Sequence, residues 1–147
     1  MQIAQIFPYI DDLRYELFDL LGDLTQEQWN ARFGRRELYS AEQIIYRLTD
    51  QERWWIGHVC QGLPWDEIRP QPRRDKDMAI EQLRATFELT NRFVETLELD
   101  SLRYVRSVPP DTSANRMEEN RRIDWILWQI LSLEIAALSQ ITLLIHL

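Results

Sequence analysis

Few residues in this chain could do covalent or metal chemistry. His58 and Cys60 form a His-x-Cys pair that invites a metal or nucleophile reading. On a helix, positions two apart point roughly 200° from each other, so these side chains do not converge on one ion. The chain has one cysteine and two histidines, His58 and His146, which rules out an internal disulfide and a four-ligand zinc site of Cys and His alone. No serine is tied by local sequence to a histidine and an acid, so a nucleophilic triad has no support. The four glycines do not cluster into a dinucleotide fingerprint or a phosphate-cradling loop. His58 reads as a structural or surface residue, Cys60 as a small core residue, and no catalytic residue is assigned. One polar stripe stands out: Arg47, Gln51, Trp54 and His58 recur at spacings of 4, 3 and 4, which places them along one helix face.

The elements that carry this stripe belong to a chain of 147 residues, read as a single domain over 1–147. Lys plus Arg total 17 against 24 Asp plus Glu, a net charge of −7, the wrong sign for a phosphate-backbone binder. No nucleic-acid partner is expected. Residues 1–21 mix acids with apolar residues and lack the apolar run of a signal peptide, so the expected location is cytoplasmic. The stretch 125–145 approaches the length of a membrane span, with Glu134 its only charge. A mid-span acid costs roughly 2.5–3.5 kcal/mol on insertion scales, and a central helix of a soluble bundle is preferred over a tail anchor. No membrane partner is expected.

Four long helices are read from spacing. Ile6, Ile10, Leu13, Leu17 and Leu20 define the first, with Pro8 in its opening turns and Gly22 as its stop. Thr25 with Gln28 forms a capping box for a short helix anchored by Trp29. Ser40 with Gln43 caps the second long helix, which Gly62 and Pro64 end; its apolar side is Ala41, Ile44, Ile45, Leu48, Trp55, Ile56 and Val59. Ile80, Leu83, Phe87, Thr90, Val94 and Leu97 mark the third, from about 77 to 97, and the fourth runs from about 121 to 146. The proline-containing link 62–75 can span about 45 Å when extended, enough to cross a helix of about 33 Å. Helices two and three can therefore run parallel. The fold class is all-α, a four-helix bundle with a crossover between helices two and three. The adjacent tryptophans Trp54 and Trp55 point about 100° apart, so both cannot face one core. The arginine pairs 35–36, 73–74 and 121–122 are too scattered to claim a partner.

The segment Ser40-Ala41-Glu42-Gln43-Ile44-Ile45-Tyr46-Arg47-Leu48-Thr49-Asp50-Gln51-Glu52-Arg53-Trp54-Trp55 is similar to the second helix of the DinB-like (DinB/YfiT) four-helix bundles. The run 129–141 resembles that family's last-helix motif, with Glu134, Gln140 and Ile141 matching. The resemblance in helix count, order and length extends over essentially the whole chain. It implies a homodimer and, in many members, a divalent metal held by one histidine of helix two and two of helix four. Some of those members transfer low-molecular-weight thiols such as bacillithiol or mycothiol, or isomerise maleylpyruvate. In this chain the three ligand positions hold Arg47, Leu133 and Ala137, and a further family histidine is Gln129. A guanidinium has no lone pair to donate and Leu and Ala have no ligand atom. No metal and no cofactor are therefore expected.

Arg47 admits three readings: a head in solvent with its methylenes on the helix, an internal pair with Glu134 or with the amides Gln129 and Gln140, or a receptor for an anionic ligand. The expected pocket comprises Arg47, Gln129, Leu133 and Ala137, with Trp54, Glu134 and Gln140 as neighbours. The function expected is non-catalytic or small-ligand-binding, with an anion or thiol as ligand. The alternative is a metal-independent, thiol-dependent transferase.

Overall fold

The computed structural model describes residues 1–32, 40–110 and 119–146. The Arg35-Arg36 pair lies outside them. The described chain is mostly helical with one small two-stranded sheet. In order it forms α1 (Ile3–Ile6), α2 (Ile10–Asp23), α3 (Gln26–Asn30), α4 (Ala41–Arg53), which continues as a π-helical segment (Trp54–Cys60), α5 (Trp65–Ile68) and α6 (Lys76–Glu95). A 3₁₀ turn (Leu99–Arg103), strands β1 (Val105–Val108) and β2 (Glu119–Arg122), and the 23-residue α7 (Ile123–Ile145) complete it.

Local chemistry explains most boundaries. Thr25 and Ser40 each make both bonds of a capping box, with Gln28 and Gln43, which satisfies backbone groups that a helix start leaves open. Asp75 caps α6 by accepting from the Met78 N–H at 2.9 Å. The first helix is broken where one continuous helix is expected. Pro8 has no N–H to continue the ladder, and the chain restarts at Ile10, whose N–H donates to Phe7 O at 3.0 Å.

The second long helix also departs from a regular α-helix. Its last seven residues widen into a π-helix, an uncommon form that carries i→i+5 bonds. Gly62, at φ 70°, then turns the chain out of the helix, a conformation that glycine adopts without a Cβ clash. At Gly57 an added Cβ would lie 2.5 Å from Ile68 Cδ1, so the missing side chain is what lets α5 pack against the π segment. The link between the third and fourth long helices contains a β pair that spacing did not reveal. β1 and β2 run antiparallel, from Val105 opposite Arg122 to Val108 opposite Glu119.

α4 packs on α6 and α7, and α2 packs on α7. α2 meets α6 through Phe18 edge-on to Phe87 at 5.6 Å. Two apolar cores result. One gathers Ile10, Trp55, Ile56, Val94, Ile126 and Ile130; the other gathers Leu17, Leu21, Trp29, Ile45, Leu83 and Ile141. All seven apolar residues expected on the inner side of the second long helix are buried. Trp55 is inside while Trp54 is half-buried, their rings meeting edge-on at 4.9 Å. Among the described residues, α7 is long and apolar enough to cross a membrane, and a third of its most apolar window is buried here.

Candidate functional site

Between the two cores lies a layer of buried polar side chains, one from each long helix. Arg14 continues the buried stripe Ile10, Arg14, Leu17, Leu21 of α2. Glu52 does the same between Leu48 and Trp55, Thr90 between Phe87 and Val94, and Glu134 between Ile130 and Ala137. All four residues are at most 6% exposed, and Glu52, Thr90 and Glu134 are at 0%. Such groups remain in an interior only when their charges and hydrogen bonds are answered there.

Arg14 answers Glu134 with a two-pronged pair, Nε to Oε1 at 2.7 Å and Nη2 to Oε2 at 3.0 Å. This is the fork geometry that suits guanidinium and carboxylate. Its Nη1 donates to Asn91 Oδ1 at 2.8 Å, and the guanidinium lies 4.3 Å from the Phe87 ring centre. Burial pulls the Arg14 pKa down, but the hydrogen bond and charge of Glu134 outweigh it and leave it raised. Arg14 is therefore locked in its charged form.

Glu52 accepts from Thr90 Oγ1 at 2.7 Å through Oε2, while its Oε1 receives no donor among the described residues. Burial pushes the Glu52 carboxyl well above the usual range, and the adjacent Glu134 charge pushes it further. Beside this layer Arg53 ties α4 to α6 and to the connecting segment, donating to Thr86 Oγ1 at 2.7 Å and to Ile68 O at 3.1 Å. Burial, with the charge of Arg73, lowers its pKa.

One turn back along α4 from Glu52, facing α7, is an open cleft of about 160 Å3. Ile44, Leu48, Leu133 and Ala137 give it apolar walls, and Arg47, Gln51 and Gln140 give it polar ones. Of the residues expected at the pocket, the structure brings together Arg47, Leu133, Ala137 and Gln140. Gln129 and Trp54 do not line it, and Glu134 belongs instead to the buried layer, paired with Arg14. The internal Arg47–Glu134 pair is thereby replaced: Arg47 is exposed, and the guanidinium that neutralises Glu134 comes from α2. Reading α2 by its apolar residues alone passed over Arg14. The overlooked signal is an arginine four residues after Ile10 and three before Leu17.

The donor set of the cleft does not fit the metal that a DinB-like resemblance implies. Its polar lining consists of a guanidinium and two amides, against the imidazole, thiolate or carboxylate donors that hold nickel or zinc. Among the described residues no group of three or more His, Cys, Asp or Glu side chains could hold an ion. His58 is occupied structurally, its Nδ1–H donating to Leu63 O at 2.8 Å. Cys60 is buried, and burial pushes its thiol up to about 12, so it is no nucleophile.

No family model and no curated protein matches this chain.

Proposed function

We propose that this protein is a cytoplasmic DinB-like four-helix bundle that has lost the metal site and binds a small amphipathic anion, without catalysis, in the cleft beside Arg47. The side-chain contacts support the bundle reading. Early α4 meets early α6 where Ile45 and Thr49 share a small cleft with Ala79 and Gln82. Late α4 meets late α6 at Glu52–Thr90. The two helices thus advance in the same direction, as a crossover through 61–75 allows. Glu134, matched to Arg14 inside the bundle, supports α7 as its core helix. The outer face of α7 carries exposed Trp128, Ile135 and Leu143, which suits a homodimer contact.

The observation that carries the ligand reading is the chemistry of the cleft. Arg47 brings a permanent positive charge to the rim of a cleft with apolar walls, in the region where the family's ligands would converge. The volume lies below the ~300–1,000 Å3 typical of sites for drug-sized molecules, so the occupant is small: a short-chain carboxylate or a low-molecular-weight thiolate. A thermal-shift series with short-chain carboxylates, inorganic phosphate and small thiols tests this. At about 100-fold over Kd a ligand adds ~2.7 kcal/mol, a rise of several degrees in Tm for a domain of this size. The wild type is expected to show such a rise with an amphipathic anion, and Arg47→Ala to lose most of it. A wild type that responds to none of these probes overturns the ligand reading and leaves a scaffold.

A further inference from the structure

We propose that Glu52 is a neutral carboxylic acid in the folded protein, donating its proton from Oε1 to the Glu134 carboxylate, and that this shared proton is an alkaline-sensitive latch between α4 and α7. In the buried layer α2 contributes one cation, Arg14; α4 and α7 contribute one carboxyl each, Glu52 and Glu134; α6 contributes only the neutral groups Thr90 and Asn91. Both carboxyls are at 0% exposure. Glu134 takes Arg14 on both oxygens, so an ionised Glu52 would leave one unmatched negative charge in the interior, a state that proteins avoid by neutralising the group. The nearby cation Arg53 does not serve Glu52, since all three of its guanidinium nitrogens donate elsewhere, to Thr86, Ile68 and Gln82.

Hydrogen-bond geometry selects the same state. Thr90 Oγ1 donates to Oε2, and Oε1 faces no donor among the described residues. α4 packs on α7, both carboxyls are buried in this layer, and Glu134 is the acidic neighbour whose charge acts on Glu52. Two carboxyl oxygens attract only when one carries a proton. With the proton on Oε1, the orphaned atom becomes a donor, Glu134 gains a third hydrogen bond, and the layer is electrically balanced. The raised pKa of Glu52, caused by burial first and by Glu134 second, agrees with this arrangement.

The sign of the pH effect follows from proton counts. Unfolded, Glu52 titrates near the ordinary glutamate value of about 4.3; folded, it holds its proton to higher pH. As pH rises between those two values the folded state binds one proton more than the unfolded state. This group therefore weakens the folding equilibrium about tenfold per pH unit. Glu52→Gln keeps a donor toward Glu134 and an acceptor for Thr90 but has nothing to titrate.

The experiment is denaturant unfolding of wild type and Glu52→Gln between pH 5 and pH 9. The folding constant of the wild type is expected to fall relative to that of Glu52→Gln by about tenfold per pH unit until Glu52 ionises in the folded state. A ratio that stays constant across the range overturns the proposal. Should the variant not fold, 13C-labelled glutamate in the wild type gives the answer. One side-chain carboxyl carbon is expected at the neutral-acid position at pH 7 and to move to the ionised position on unfolding; its absence in the folded protein overturns the proposal equally.

Discussion

Replacing Arg14 by alanine is expected to lower the stability of the fold by about 3–5 kcal/mol, read as a shift in the urea midpoint. The loss arises less from the contacts of Arg14 than from what stays behind. Glu134 would remain at 0% exposure without the guanidinium that now holds both of its oxygens. Total stabilities of domains are about 5–15 kcal/mol, so a large share of the margin goes with one side chain. The surface pair Arg92–Glu88, with side chains 74% and 57% exposed, sets the contrast; breaking it costs about 0.5 kcal/mol or less. Removing both buried charges tests the cause. Arg14→Met with Glu134→Leu is expected to recover most of the loss, because well-packed apolar replacements dispense with the desolvation. An Arg14→Ala variant within 1 kcal/mol of wild type would mean that the layer contributes little to the fold.

The second large effect is in the apolar core beside this layer. Trp55→Ala is expected to cost about 3–5 kcal/mol and Trp54→Ala distinctly less, although the two residues are chain neighbours. Trp55 is fully buried, with Trp54 against it at 4.9 Å and Trp125 edge-on at 5.5 Å. Truncating it leaves a void that a close-packed interior cannot fill. Half-buried Trp54 leaves its space largely to solvent. Thermal or urea unfolding of both variants checks the order, and equal losses would contradict the assignment of Trp55 to the inside.

How much of this was legible beforehand depends on whether apolar residues or charges carry the information. The caps at Thr25 and Ser40 are local chemistry, and their boxes form as spacing predicts. The long apolar stripes of α4 and α6 place the cores because burial follows periodicity. The inward face of α2 was misread by part of a turn. Leu13 and Leu20 are only half-buried while Arg14 and Leu21 are inside, since a search for apolar repeats skips a charged residue that pays its way through a distant partner. Glu134, 120 residues away from Arg14 in the chain, cannot be matched to it by any local pattern. The π-helical segment was hidden for a related reason: Trp55, Ile56 and Val59 suit either helix type. The small sheet, with Arg106, Arg121 and Arg122 among its eight residues, lacks the apolar alternation that marks a strand. At the cleft, the helical register places Arg47 opposite Leu133 and Ala137, whereas the exposure of Arg47 is a tertiary fact.

The charged centre of the protein is internal, Arg14 against Glu134, and the cleft beside Arg47 lacks imidazole, thiolate and carboxylate donors. Calorimetric titration of the chelator-treated protein with nickel and zinc tests that most directly. The predicted result is no saturable one-to-one binding, with the same outcome for wild type and Arg47→Ala. Saturable one-to-one binding that is lost on substituting Arg47 or Gln140 would contradict it, since the metal would then be held at the very site from which its ligands are absent.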